Sequence, residues 1–250
     1  MGGLTLAENQ VDIWKIYLAG HIDSVQRSRL LLSPDEIQRA DQFYFEIHRR
    51  RFTVCRSAMR QILGLYGGLA PGKLTFSYGP KGKPELSGAL EQSGIRFNLA
   101  HSKDLALLAV AQGLALGVDI EFINSEFAVE EIAERFFSTR EVGHLRTVPS
   151  SEKTGAFFAC WTRKEAYVKA LGGGLSVPLD SFEVTVGSGT PPALLHVDAD
   201  PCELMRWSLY DINAAEEFKA ALAVEGKGHQ LQYGRFSVAM GSHVTACSAT

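Results

Sequence analysis

The chain has 250 residues, 46% of them hydrophobic and 21% charged, and a formal net charge of −3, which allows one large domain or two modest ones with real cores. This balance leaves no global basic field to recruit nucleic acid. No run approaches the length of about eighteen apolar residues that a membrane span needs, no charged-then-apolar leader opens the chain, and Cys55, Cys160, Cys202 and Cys247 form no CxxC pair; these features predict a cytoplasmic protein without a zinc site or disulfide framework.

Taken in order, Val11–Leu18 is rich in β-formers and predicts an opening strand. After a short linker, Ser33-Pro34-Asp35-Glu36 has the form of a helix start, with a capping serine, a proline at the first helical position and a glutamate three residues after the cap. Helix is predicted from there to Gly64, with a break near Phe45–His48. Its second half carries an apolar stripe of Phe52, Cys55, Met59 and Leu63. Arg56 and Arg60 fall on another side and read as a solvated basic face. Arg49, Arg50 and Arg51 fit either such a face or a phosphate contact, since adjacent guanidiniums repel one another unless an anion or acid lies nearby.

Leu74–Tyr78 predicts a short strand. The turn Gly79–Leu86, GPKGKPEL, is either a surface turn or an anion-gripping loop in which Lys81 or Lys83 meets phosphate; the P-loop spacing is absent. Ile95–Ala100, Leu105–Ala111 and Leu114–Phe122 predict three strands with tight connections. His101 sits in the first connection, as a turn residue or a functional one. A helix over Val129–Phe137 follows, then a second capping signal at Ser138–Glu141 opening a short helix. Beyond the long helix that holds Trp161, strands are predicted at Ser181–Val186, Met205–Asp211, Phe218–Glu225 and Phe236–Met240. Gly187–Pro201 reads as a loop and the terminal HVTACSAT as irregular.

Two stretches carry the chemistry. In GVDIEFI, Gly117–Ile123, Asp119 and Glu121 alternate with Val118, Ile120 and Phe122, so a strand would turn both carboxylates to one side. In ACWTRKEAYVKALGGGL, Ala159–Leu175, Trp161, Glu165 and Lys169 recur every four residues and share one helical stripe. A Glu–Lys pair at that spacing is also an ordinary solvated feature of helices. With the strand acids beside it, however, the set suits a hard divalent cation such as Mg²⁺, which takes oxygen ligands and retains waters that a phosphate can displace.

These two stretches together resemble the signature of the Sfp-type 4′-phosphopantetheinyl transferases, a G-[IV]-D-x-E strand followed by a W-[ST]-x-K-E-[AS]-[YF]-x-K helix. FNLAHS at 97–102, GKPEL at 82–86, RFFST at 135–139 and the helical segment at 33–52 also resemble family segments. The resemblance implies an α+β fold of two similar α/β halves about a pseudo-twofold with a ligand cleft between them. The halves would be residues 1–114 and 115–250, with the joint near Gln112–Gly117. It implies a monomeric enzyme that moves 4′-phosphopantetheine from coenzyme A to a serine of an apo acyl, polyketide or peptidyl carrier protein, with neither nucleic acid nor membrane as partner.

Carried over position by position, Asp119, Glu121 and Glu165 would hold Mg²⁺. Glu165 and Lys169 would be catalytic, with Lys169 on the α-phosphate. Arg39, Arg51, Lys83 and His101 would meet the nucleotide phosphates. Ala100 replaces a serine and Glu36 stands where some members have lysine, which thins the contacts around the 3′-phosphate. The alternatives are a coenzyme A- or nucleotide-binding regulatory protein and a magnesium-dependent nucleotide phosphohydrolase.

Overall fold

A computed structural model describes residues 3–19, 22–187, 189–237 and 243–247. The chain forms two compact units, one of Met1–Tyr78, Pro84–Gly113 and Gln230–Thr250, the other of Gly79–Lys83 and Leu114–His229. The division drawn on sequence at 114/115 is therefore crossed twice, by the Gly79–Lys83 turn and by the end of the chain. Each unit is α+β.

The first unit begins with β1 (Gln10–Tyr17), α1 (Ile22–Arg29), α2 (Pro34–Asp41) and α3 (Glu46–Gly67), followed by the hairpins β2 (Thr75–Tyr78) with β3 (Pro84–Ser87) and β4 (Ile95–Ser102) with β5 (Leu105–Gln112). The polar stretch IDSVQRSR forms α1 where the sequence reads as linker. Val54, Cys55, Ala58, Met59, Ile62 and Leu63 of α3 bury themselves against Trp14, Ile16, Phe97, Leu108 and Val110 of the sheet, the face that periods of 3.6 and 2 place together. Gly68, in the left-handed region at φ 64°, ends α3.

Arg56 and Arg60 are not solvated. They are 8% and 1% exposed, and their Nε atoms donate to Oε1 and Oε2 of Glu36 at 2.7 and 2.6 Å. Glu36, 2% exposed, also accepts the N–H of Ser33 at 3.1 Å. The residue expected to thin a phosphate site is instead a buried clamp between a helix start and α3, because a third-position cap glutamate points back along its own helix toward whatever covers that end.

The second unit repeats the order: β6 (Leu116–Phe122), α4 (Val129–Phe136), α5 (Thr139–Thr147), α6 (Ser150–Leu171), the hairpin β7 (Phe182–Val184) with β8 (Leu194–Val197), α7 (Glu203–Arg206), and the hairpin β9 (Trp207–Asp211) with β10 (Phe218–Glu225). β8 lies inside the stretch read as loop; the prolines of that stretch flank the strand and do not interrupt it. The sheet order is β6-β10-β9, all antiparallel. The chain end then returns to the first unit. There β11 (Gln230–Ser237) runs parallel to β1 and pairs with β12 (His243–Cys247), giving the order β12-β11-β1-β5-β4. The terminal stretch read as irregular is thus a strand through Cys247, while the end of the strand expected at Phe236–Met240 lies outside the described residues. No helix among the described residues is long and apolar enough to cross a membrane.

Candidate active site

The site grows from the contact of β6 with α6. A Cβ on Gly117 would lie 2.2 Å from the Ala166 carbonyl oxygen and 2.3 Å from the Ala170 nitrogen, so strand and helix backbones meet where only glycine fits. Side chains alternate along a strand, hence Asp119 and Glu121 share the face of Gly117 while Val118 and Ile120, 0% and 1% exposed, are buried on the other. In the ladder Asp119 stands opposite Ala221 of β10, which stands opposite Asp211 of β9.

From α6, Lys169 donates from Nζ to Asp119 Oδ1 at 2.5 Å. Asp119 is 4% exposed, and its Oδ2 is buried with no hydrogen-bond partner among the described residues. Glu165, one turn before Lys169, is half-buried; burial, then the charge of Asp119, raises its pKa above the ordinary glutamate value. Burial pulls the Lys169 ammonium down, but Asp119, Glu165 and Glu121 together lift it above the usual lysine value. Asp119, Glu165 and Lys169 thus form one electrostatic group, with Glu121 acting on the same lysine. Trp161 completes the stripe and stacks on Phe157 at 5.8 Å between ring centroids.

The α6 helix is held by charges that its sequence pattern does not advertise. Lys164, 0% exposed, donates to Glu141 Oε1 and to the Phe182 carbonyl, both at 2.6 Å. Glu141 also accepts the N–H groups of Ser138 and Val184 at 2.9 and 2.8 Å. The capping signal at Ser138 therefore does double duty: besides closing α5, its glutamate anchors α6. Arg163, also 0% exposed, bonds Asp211. Sequence reasoning missed both anchors because each partner lies far away along the chain. The third-position cap glutamate was the signal that could have exposed the first.

The remaining expected residues have other surroundings. The Lys83 ammonium donates to the carbonyls of Leu116 and Lys169 at 2.9 and 2.7 Å, tying the Gly79–Lys83 turn to β6 and α6. In the first unit Arg51 donates from Nε to Asp104 at 2.8 Å, Arg39 lies over the Phe52 ring at 5.7 Å, and His101 is exposed near the end of β4. Among the described residues no three His, Cys, Asp or Glu side chains are gathered into a metal cluster, so the three expected ligands do not converge as a set. The donor chemistry still fits a hard cation. An orphaned carboxylate oxygen and a glutamate disfavoured as an anion by burial and then by Asp119 are both relieved by positive charge bound at oxygen.

A strand acid, a helix acid and a half-buried lysine stand around one unsatisfied oxygen, a donor set suited to a hard cation. Residues 115–223 match the model of the 4′-phosphopantetheinyl transferase superfamily. The 4′-phosphopantetheinyl transferase HetI of Nostoc sp. strain PCC 7120 is 39% identical over 233 residues, 93% of this chain and 95% of that protein. The 4′-phosphopantetheinyl transferase Sfp of Bacillus subtilis strain 168 is 29% identical over 174 residues, 69% of this chain and 75% of that protein. A Thermotoga maritima holo-[acyl-carrier-protein] synthase of known structure covers 46% of this chain and 64% of its own at 24% identity, with a TM-score of 0.36. The chain belongs to the 4′-phosphopantetheinyl transferase family, and it is an enzyme of that activity.

Proposed function

We propose that the enzyme transfers 4′-phosphopantetheine from coenzyme A to a serine of an apo carrier protein of fatty acid, polyketide or peptide synthesis, releasing adenosine 3′,5′-bisphosphate. The observation that carries this reading is the Lys169–Asp119 bond at 2.5 Å beside the buried, unpartnered Asp119 Oδ2. Asp119, Glu121 and Glu165 are the side chains that would hold Mg²⁺. When bound, the ion supplies Lewis-acid charge to the diphosphate.

The chain's own residues account for the rest. The serine Oγ–P bond forms as the bond from that phosphorus to the bridging diphosphate oxygen breaks. Glu165, whose raised pKa makes it a better proton acceptor than an ordinary glutamate, takes the serine proton. Lys169 neutralises the leaving phosphate, and its lifted pKa keeps it charged for the purpose. Arg39, Arg51 and His101 are assigned to the nucleotide phosphates on the strength of the family signature alone. For Lys83, the two carbonyls already on its ammonium support a role in holding the end of α6.

Incubation with coenzyme A, Mg²⁺ and a panel of apo carrier proteins, read by intact mass, tests the proposal. Glu165→Gln is expected to lower kcat by roughly 10²–10³, the scale of losing one transition-state electrostatic group. Lys169→Ala should lose as much in turnover rather than in coenzyme A affinity. Wild-type rates in both variants, or release of free phosphopantetheine with no carrier present, would overturn it.

A further inference from the structure

Arg163 occupies the unspecified position of the helix signature, yet its guanidinium is fully engaged. Its side chain is 0% exposed. Nε and Nη2 fork onto Asp211 Oδ1 and Oδ2 at 2.8 and 2.5 Å, while Nη1 donates to the Thr185 carbonyl and hydroxyl at 2.7 and 3.2 Å. A planar fork fixes the direction of approach as well as the distance.

The acceptor lies in a telling place. Asp211, Ala221 and Asp119 form one row across β9, β10 and β6. Directly opposed residues in antiparallel ladders point to the same face, and with strands about 4.8 Å apart the two acids stand roughly 10 Å from each other. The small, fully buried Ala221 lies between them. α6 is thus stapled to a single row of the sheet from both sides, by Arg163 to Asp211 and by Lys169 to Asp119. Glu165 lies between the staples.

The first unit shows what this position holds when no chemistry depends on it. Met59, the fourteenth residue of α3, corresponds to Arg163, the fourteenth of α6, and is 0% exposed. The row beneath α3 is Trp14, Leu108 and Leu99, apolar throughout. A methionine therefore suffices to build such a helix on such a sheet, and a buried ion pair is no better a source of stability than apolar packing.

We infer that Arg163 and Asp211 are a positioning pair that sets the roll of α6, so that Glu165 and Lys169 face Asp119. The inference rests on the reading of Glu165 and Lys169 given above. A roll of about 20° on a helix whose side chains reach 5–6 Å from its axis moves their tips by about 2 Å, and a misplacement of about 1 Å can cost 10²-fold in rate.

The test is Arg163→Met, which installs the first unit's side chain, assayed with coenzyme A, Mg²⁺ and an apo carrier protein alongside circular-dichroism melting. The expected result is a kcat lowered roughly 10- to 100-fold, with an unchanged KM for coenzyme A and a melting temperature close to the parent's. A parent kcat, or a loss of activity no greater than the loss of folded protein, overturns the inference. Should Arg163→Met fail to fold, Asp211→Ala serves in its place. Its kcat is read per folded protein, measured by circular dichroism, since it leaves the 0%-exposed Arg163 with its Thr185 bonds but without its carboxylate; a parent kcat per folded protein there is equally fatal. Parallel assay of Glu165→Gln separates the failures: a fully active Glu165→Gln removes the site itself, whereas an inactive one beside a fully active Arg163→Met removes only the positioning role.

Discussion

The two units are built alike, and the group of Asp119, Glu165 and Lys169 belongs to the second. Each opens with a strand, passes through short helices to a 22-residue helix ended by a left-handed glycine, and goes on to two hairpins, to which the first unit adds β11 and β12. In each, the first strand pairs with the last strand of the second hairpin, giving β1-β5-β4 and β6-β10-β9. Each anchors the fifteenth residue of its long helix, Arg60 or Lys164, to the third-position cap glutamate of the preceding helix, Glu36 or Glu141. Trp14 and Asp119 each stand nineteen residues before their capping serine. In the first unit that position is an indole donating to Tyr66 at 2.9 Å; in the second it is a carboxylate bonded to lysine. The architecture is a shared support, and the proposed chemistry would lie in one strand face and one helix stripe laid on it.

Removing the anchoring cation should break the likeness most visibly. Lys164→Met leaves Glu141 buried without a counter-charge, and a loss of about 3–5 kcal/mol is expected. Next comes Gly117→Ala, whose Cβ would strike the rigid backbone of α6; about 3 kcal/mol should be lost, together with activity. The first unit fills the equivalent space differently: Asp12, placed like Gly117 before its capping serine, is joined to the Tyr66 hydroxyl of α3. Arg60→Met should be milder, about 1–3 kcal/mol, because Glu36 keeps Arg56. Urea denaturation of the three variants ranks them, and equal losses for Lys164→Met and Arg60→Met would show that the two anchors are not differently backed.

What could be read in advance were features of spacing. Alternation in GVDIE put Asp119 and Glu121 on one face, and steps of four put Glu165 and Lys169 on one stripe; both capping boxes and the long helices follow from local rules. What could not be read depended on partners remote in sequence. Arg56 and Arg60 have the spacing of a solvated face, and Glu36, 20 and 24 residues earlier on another helix, makes them core. Arg163 and Lys164 were hidden for the same reason. The polar α1 and the proline-flanked β8 lack any strong periodicity and owe their form to what they pack against.

The smallest predicted effect concerns pH, and it separates the units by sign. In the first unit the Arg51 hydrogen bond holds the Asp104 carboxyl below its ordinary value, so that pair adds stability above the unfolded pKa and loses it as pH falls through the folded one. In the second, burial and Asp119 raise Glu165. A carboxyl raised on folding binds its proton more tightly in the native state, so the stability it allows is present below the unfolded value, about 4.3, and is lost as pH rises through the folded one. Without divalent metal, Glu165→Gln should therefore melt above the parent at pH 7, and the gap should close as pH drops toward 4. Adding Mg²⁺ at pH 7 should raise the parent's melting temperature more than the variant's, since the ion relieves a repulsion that the variant lacks. A gap that widens in acid would mean that the Glu165 carboxylate is stabilised where it stands, and the electrostatic group around Asp119 would lose its central member.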